Sequence, residues 1–509
     1  MERFFTVEQI KEEVLNTIGN KALTYEQQTS RLAKIAENIL DYPVANEDDF
    51  YNLYDLGEIC DLDEGHAPYA PRYILPDYEK LLREGCKFLR LDPAKNLKEA
   101  LTNLLIFYHH VPSVTRFPVF IGHLDDLLER FIENEEEARE DIRLFLIQLD
   151  RTIDDSFCHA NIGPYETKVG NIILDVIGEL QNVTPNLTLM YDKDITPEKF
   201  AEKAINASID CANPAFANVK YYNKDFGNTP YGIASCYNAL PTTGGAFTLS
   251  RLRLNKIAYQ AESYDDFFQN KLPHAIDTML HFMENKIDFL VEKSKFFQSN
   301  FLVTEGFVKL ENFVGLFGVV GLYECVGDLA KKLGKEIEFG HDEEADIIGL
   351  KVMDAVEERV LNYTTKYSPI WNHKFMLHSQ VGAANDEGTT AGVRIKITRE
   401  PSMYDHIGCA AKFHKYFPSG VGDHFPFEET AKKNPKAVVD IFKAAFDMGM
   451  RYISSYGSNS DLIRVTGYLV KKSDIEKFKN NEQVSYDTVQ YAQDAFDKYD
   501  LLERKVRNV

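Results

Sequence analysis

The sequence predicts an α/β fold in which helices cover a mainly parallel sheet and a helical region precedes the sheet. Up to about residue 165, apolar residues recur every three or four positions with charged residues between them, as in amphipathic helices. From about residue 186, short strand-like runs alternate with helical segments, which favours a parallel sheet with its helices outside. The sequence has no internal repeat, and no low-complexity linker separates the two parts. We therefore expect them to pack as one unit.

The individual elements follow the same two patterns. Helices are predicted in the first part over residues 7–18, 25–40, 77–89, 97–108 and 124–149. In the second part, helices are predicted after Pro197 and over 276–297 and 437–448, and a closely packed, glycine-containing helix over 314–324. Strands are predicted over 186–191, 219–222, 231–235, 374–379 and 393–398, with a strand or loop over 463–470. We therefore divide the chain into a helical region (1–165), an α/β region (166–450) and a C-terminal segment (451–509).

Composition limits the classes of function. The 509 residues carry a formal net charge of -22, and no long basic run is present, so nucleic-acid binding is not expected. The N-terminus lacks an apolar run followed by a small-residue cleavage site, and the longest apolar run is too short to span a bilayer. We expect a cytoplasmic protein without membrane attachment.

Seven cysteines are spread along the chain, and no Cys-x-x-Cys pair occurs. A zinc ribbon or a cluster held by adjacent thiolates is therefore not expected. An odd number of cysteines in a cytoplasmic protein indicates reduced thiols, most of which would be buried as small apolar groups.

A short, largely apolar segment near the C-terminus has a glycine at its centre. Residues 461–470 read DLIRVTGYLV, with Gly467 in the middle. A radical at an alpha carbon is stabilised by the flanking amide nitrogen and carbonyl, and glycine, which lacks a beta carbon, lets the centre flatten without a side-chain clash. The alternative is a glycine that interrupts a strand or forms a bulge.

One cysteine has a comparable setting. Residues 228–247 read NTPYGIASCYNALPTTGGAF, which places Cys236 directly after a strand-like segment and before a proline and a glycine pair. Such a loop can approach another loop closely. The alternative for Cys236, as for the other cysteines, is burial as a structural residue.

These two segments, together with residues 67–73 (APYAPRY) and 416–423 (YFPSGVGD), resemble the YjjI-type family of glycyl radical enzymes. The resemblance implies a ten-stranded α/β barrel surrounded by helices, with a cysteine loop and a glycine loop meeting inside. It also implies that a Gly467 radical, installed after translation, generates a thiyl radical at Cys236 that takes hydrogen from a small organic substrate. We expect no permanently bound cofactor, a separate radical S-adenosylmethionine activating enzyme, an oxygen-sensitive anaerobic reaction, and a homodimer.

Departures from better-known relatives leave the reaction open. The four-cysteine zinc site of anaerobic ribonucleotide reductases has no counterpart, although residues 314–324 resemble a helix of those enzymes. Ser235 precedes Cys236 where formate-lyase-type enzymes have a second cysteine. Asn238 stands where the diol and choline eliminases have a glutamate that acts as general base. The open alternatives are a reducing or rearranging radical enzyme acting on a nucleotide or sugar, and a non-catalytic homologue that retains the barrel.

Further site residues are predicted in segments expected to line the barrel. The candidates for substrate binding or acid–base chemistry are Asn238, Glu324, His378 and Glu387. The alternative for each is a structural or capping role. No metal site is predicted.

Overall fold

The computed structural model describes residues 6–44, 47–62, 64–66, 68–114, 116–379, 388–465, 467–489 and 506. In chain order, its strands are β1 (Ile59–Cys60), β2 (Tyr73–Leu75), β3 (His159–Ile162), β4 (Asn186–Tyr191), β5 (Ala215–Asn218), β6 (Tyr231–Ala234), β7 (Asn238–Pro241), β8 (Gly244–Arg253), β9 (Phe313–Val320), β10 (Met376–Ser379), β11 (Asp423–Phe427), β12 (Tyr452–Gly457), β13 (Leu462–Val465) and β14 (Tyr468–Lys471).

The helices of the first part are α1 (Val7–Gly19), α2 (Tyr25–Glu37), α3 (Glu47–Asp55), α4 (Tyr78–Glu84), α5 (Leu97–Tyr108), α6 (Leu124–Glu129) and α7 (Glu135–Thr152). Those that follow are α8 (Lys168–Leu180), α9 (Glu198–Cys211), α10 (Val219–Phe226), α11 (Leu254–Gln260), α12 (Tyr264–Asp266), α13 (Leu272–Asp288), α14 (Phe296–Ser299), α15 (Phe301–Thr304), α16 (Leu322–Lys332), α17 (Glu343–Asn362), α18 (Met403–Phe413), α19 (Pro435–Met448) and α20 (Lys472–Lys479).

Ten of the strands form two five-stranded sheets. In the first, the order is β1-β8-β9-β10, with β2 also paired to β8; in the second it is β11-β12-β5-β4-β3. The pairs β8–β9, β9–β10, β11–β12, β3–β4 and β4–β5 are parallel. Within the described ranges no strand pairing joins the two sheets, and the hairpins β6–β7 and β13–β14 stand apart from both. The predicted α/β fold is confirmed, with ten of the fourteen strands in two sheets and with surrounding helices.

The N-terminal helices begin where the sequence places their caps. The hydroxyls of Thr6 and Thr24 accept hydrogen bonds from the backbone N–H groups of Gln9 and Gln27, and each glutamine side chain accepts from the threonine N–H in return.

Among the described residues, no helix is long and apolar enough to cross a membrane.

The predicted helix over residues 314–324 is wrong, because this segment starts as β9 and only its end belongs to α16. All eight residues of β9 are buried between β8 and β10. A strand covered on both faces has a continuous apolar run, which periodicity alone does not distinguish from a buried helix. Gly318 lets the strands approach, since a Cβ there would lie 2.9 Å from Arg251 Cβ.

Two predicted strands are also wrong. Residues 219–222 belong to α10, because the Asn218 side chain accepts from Tyr221 N–H and caps the helix directly after β5. Residues 393–398 form no strand, since Arg394 N–H closes a turn to Ala391 O at 3.1 Å.

Two predicted helices are interrupted. The helix over 124–149 is divided into α6 and α7, where Asn134 caps the second helix by accepting from Glu136 and Glu137 N–H. The helix over 276–297 is α13 followed by a π-helical turn, Phe289–Lys293.

The proposed division of the chain into three regions, at residues 165 and 450, stays a prediction.

Candidate active site

Cys236 lies at the tip of a buried hairpin. Strands β6 and β7 are antiparallel with Ala234 opposite Asn238, so Ser235, Cys236 and Tyr237 form the connecting turn. Ser235 has a left-handed φ of 57°, which reverses the chain sharply at this point. Cys236 is 4% exposed, so the turn points into the protein and not towards solvent.

Gly467 lies in the turn of a second hairpin and packs against the first. Strands β13 and β14 are antiparallel, with Val465 opposite Tyr468. A Cβ built on Gly467 would lie 2.4 Å from Cys236 Cβ, 2.9 Å from Cys236 Sγ and 3.3 Å from Tyr237 Cε1. Since a carbon–carbon bond is about 1.5 Å long, the Gly467 Cα lies within roughly 4.4 Å of the sulfur. Only glycine fits this contact.

The glycine turn and the cysteine turn share a hydrogen-bond donor. The Nδ2 group of Asn186, at the start of β4, donates to Gly467 O at 2.9 Å and lies 3.4 Å from Ser235 O. Arg464, in β13, donates from Nη2 to Asn186 Oδ1 at 2.8 Å. Both side chains are buried, and together they link β4, β13 and the cysteine turn.

A second polar group holds the backbone of the cysteine turn. Tyr452 OH donates to Cys236 O at 3.1 Å and lies 3.2 Å from Thr188 Oγ1. Thr188 Oγ1 is 2.7 Å from His159 Nε2, and His159 Nδ1 donates to Ser235 O at 2.5 Å. Burial lowers the pKa of His159 to about 3, so this imidazole is neutral at physiological pH.

The Cys236 thiol keeps its proton. Burial raises the pKa of Cys236 to about 12, although the Ser235 hydroxyl, 3.9 Å from the sulfur, and the charge of Arg394 act in the opposite direction. A protonated thiol is a poor nucleophile but can donate a hydrogen atom. The local electrostatics therefore favour hydrogen-atom transfer over thiolate chemistry.

His378 reaches the cysteine turn through Tyr237. The two rings are stacked with their centroids 5.7 Å apart, and Tyr237 OH donates to Ser379 O at 2.9 Å. His378 Nδ1 lies 3.1 Å from Ser419 Oγ. Burial, together with the charge of Arg72, lowers the pKa of His378 to about 3, so this ring is also neutral.

The other three predicted residues occupy different settings. Asn238 is buried in β7, where its Nδ2 donates to Ala234 O at 3.2 Å and its Oδ1 has no hydrogen-bond partner among the described residues. Glu324, at the start of α16, accepts from Thr390 N–H at 2.9 Å and from Thr390 Oγ1 at 2.5 Å; burial raises its pKa. Glu387 lies outside the described residues.

Sequence reasoning missed several groups at the site. Asn186 was recognised only as the start of a strand, Arg464 only as part of a motif, and Tyr452 not at all. Arg394, whose Nε donates to Gly422 O at 2.7 Å, lies over the Tyr237 ring at 5.6 Å. The available signal was a polar residue in a buried strand, which must find a hydrogen-bond partner.

Known proteins match this chain in sequence and in fold. A family model described as "Glycyl radical enzyme YjjI-like" matches residues 23–507. An uncharacterized protein of Haemophilus influenzae is 44% identical over 98% of both chains. The uncharacterized protein YjjI of Escherichia coli is 40% identical over 96% of this chain and 95% of its own length.

Solved structures with the same fold are more distant in sequence. The anaerobic ribonucleotide reductase of Thermotoga maritima, in complex with dATP and CTP, has a TM-score of 0.66 and 13% identity, covering 95% of this chain and 100% of that chain. The B12-independent glycerol dehydratase of Clostridium butyricum has a TM-score of 0.69 and 11% identity, covering 100% of this chain and 89% of that chain. At these identities the likeness concerns the fold alone.

Proposed function

Because the chain belongs to the YjjI-like family of glycyl radical enzymes, we propose that Gly467 carries the radical and that Cys236 passes it to the substrate. The observation that carries this assignment is the contact between Gly467 and the Cys236 side chain. In this family a glycine radical is installed after translation, and the enzyme needs an activating partner.

The relay has two steps. The Cys236 S–H bond breaks as its hydrogen atom joins the Gly467 Cα radical, which leaves a closed-shell glycine and a thiyl radical. The thiyl radical then takes a hydrogen atom from a C–H bond of the substrate and becomes a thiol again. Return of a hydrogen atom from Cys236 to the product radical, and from Gly467 to Cys236, closes the cycle without an external oxidant or reductant.

The surroundings support this chemistry. The S–H and glycyl C–H bonds are close in strength, so the transfer between them costs little, and proximity makes it fast. Cys236 holds its hydrogen because burial raises its pKa. Both turns are buried, which protects the radical from water and oxygen. A non-catalytic homologue would have no need for a protonated thiol against a buried glycine.

The partners follow from the same assignment. We propose that a separate radical S-adenosylmethionine enzyme activates Gly467, because the seven cysteines of this chain form no Cys-x-x-Cys motif. All seven are free thiols, which suits a reducing cytoplasm. We further propose a homodimer and a small organic substrate, which His378, stacked on Tyr237, and Asn238, at the end of the cysteine turn, would bind or orient. Glu324 and Glu387 stay candidates for acid–base chemistry.

The relay can be tested without knowing the substrate. Anaerobic activation with the cognate activating enzyme should give the electron paramagnetic resonance doublet that a glycyl radical owes to its remaining α-hydrogen. Thiols exchange their hydrogen with solvent. After transfer of the activated enzyme to D2O, Cys236 should therefore replace the α-hydrogen of Gly467 with deuterium, and the doublet should collapse to a single line. Cys236→Ser should keep the radical and the doublet.

The roles proposed for Gly467 and for Cys236 can be disproved separately. If Gly467→Ala still gives the doublet, Gly467 is not the radical site. If the doublet collapses equally fast in Cys236→Ser, Cys236 is not the relay.

A further inference from the structure

We propose that Asn186 is a positioning residue that sets the distance between the radical glycine and the thiol and stabilises the radical through its carbonyl. This inference rests on the proposed function, because it assigns a role within the Gly467–Cys236 relay. Asn186 does not contact the substrate in this assignment. Its partners are the backbone carbonyls of the two turns.

The Asn186 side chain bridges the two turns. Its Nδ2 is 2.9 Å from Gly467 O and 3.4 Å from Ser235 O, so one amide group bridges the two turns. Asn186 is completely buried at the start of β4, which is paired on both sides by β3 and β5. A rigid internal strand therefore presents the donor to both turns.

The orientation of the amide is determined by Arg464. A guanidinium group can only donate hydrogen bonds, so the Asn186 atom that lies 2.8 Å from Arg464 Nη2 must be the carbonyl oxygen. The Asn186 NH2 group must then point at Gly467 O. Arg464 is itself held by Ala212 O, which accepts from its Nε at 2.8 Å.

This arrangement has two consequences for the radical. Hydrogen transfer between Cα and Sγ depends steeply on their separation, and the shared donor prevents the turns from moving apart. A hydrogen bond to Gly467 O also increases the electron-withdrawing strength of the carbonyl that delocalises the unpaired electron. The Asn186 bond would therefore both satisfy a buried carbonyl and act on a radical stored at this glycine.

The informative substitution is Asn186→Asp, which keeps the shape and the Arg464 contact but replaces the donor with an acceptor. Facing Gly467 O, the ionised carboxylate repels the carbonyl. We expect the doublet of the activated variant to collapse in D2O about 10- to 100-fold more slowly than that of the unsubstituted enzyme. Arg464 Nη2, 2.8 Å from this position, favours the ionised carboxylate, so the slowing should persist at neutral pH, and the rate should recover only when a lower pH protonates the carboxyl and restores a donor.

Asn213 offers a matched control. It is also a buried asparagine: its Oδ1 accepts from Arg464 Nη2 at 3.2 Å and from Leu187 N–H at 2.8 Å, and its Nδ2 donates to Pro185 O at 2.9 Å. Among the described residues, its side chain bonds to neither turn. Asn213→Asp keeps an acceptor for Arg464 and leaves the donor to Gly467 O in place, so the collapse rate should stay within about twofold of that of the unsubstituted enzyme and give no rise at low pH.

A measurement on the unsubstituted enzyme covers the case in which Asn186→Asp does not fold. Asparagine labelled with 15N in its side-chain amide should produce a weak nitrogen coupling to the Gly467 radical in pulsed electron–nuclear double resonance. The absence of this coupling would overturn the inference, as would an Asn186→Asp variant whose rate and pH profile match the unsubstituted enzyme. If the unsubstituted enzyme never gives a doublet, the radical assignment itself has failed.

Discussion

Gly467 and Cys236 are in contact so close that a single methyl group on the glycine would lie 2.4 Å from the cysteine Cβ. The contact joins the turns of two hairpins that are far apart in the chain. Each turn is held through backbone carbonyls, Cys236 O by Tyr452 and Gly467 O by Asn186. The geometry of the relay therefore depends on buried polar groups outside the two reacting residues.

Gly467→Ala should abolish the glycyl radical and also destabilise the fold, because the added methyl overlaps Cys236. We expect a loss of about 1–3 kcal/mol in the free energy of unfolding, measured by urea titration. Gly178→Ala is the control, since a Cβ there meets nothing within 4 Å. Inside α8 it should stabilise by about 0.5–1 kcal/mol and leave the doublet unchanged. Equal stability changes in the two variants would contradict the close contact.

Tyr452→Phe should slow the collapse of the doublet in D2O, because it leaves the buried Cys236 carbonyl without the 3.1 Å bond from the tyrosine hydroxyl. The expected cost in stability is about 1–3 kcal/mol. Tyr222→Phe is matched in burial, and the Tyr222 hydroxyl has no hydrogen-bond partner in the described part of the chain. That variant should be neutral or slightly more stable, with an unchanged rate. A reversed order of the two variants would count against the role of Tyr452.

The Cys236 relay should work at alkaline pH. With a pKa of about 12, the thiol keeps its hydrogen where an ordinary thiol, ionising near about 8.5, loses it. The collapse rate in D2O should therefore show no fall between about pH 8 and about pH 10 that reflects thiol ionisation. A rate that declines with an apparent pKa near about 8.5 would show that the thiol is not shielded as described.

The same pKa shift has a consequence for stability. The folded-state pKa is raised, so the contribution of Cys236 is fully present below about pH 8.5 and is lost as the pH rises towards about 12. In Cys236→Ser, the free energy of unfolding should fall less steeply with rising alkaline pH, by up to about 1.4 kcal/mol per pH unit. Urea unfolding at two alkaline pH values measures the difference.

His378 should make the protein sensitive to acid. Its folded-state pKa of about 3 lies below the unfolded value, so its stabilising contribution is present above about pH 6.5 and is lost as the pH falls towards 3. In His378→Gln, the free energy of unfolding should fall less steeply as the pH is lowered, by up to about 1.4 kcal/mol per pH unit, measured by urea unfolding at a series of pH values. His281→Gln, at an exposed position on α13, is the control and should keep the original slope.

Several features were predictable from local sequence. Apolar periodicity predicted the starts of α1 and α2 and both ends of α5. The strand before Cys236 was predicted because β-type residues precede a turn there. By contrast, β9 was mistaken for a helix and α10 for a strand, because burial on both faces and a single capping asparagine override the local pattern.

The sequence by itself predicted which two residues perform the chemistry. A glycine within an Arg-Val-x-Gly-Tyr run and a cysteine after a strand are properties of short segments, and their side-chain chemistry does not depend on the fold. Only the tertiary structure decided that the two meet, that the thiol is protonated, and that Asn186 bonds to both turns. These properties arise from contacts between residues distant in the chain and from exclusion of water, and neither is encoded in local spacing.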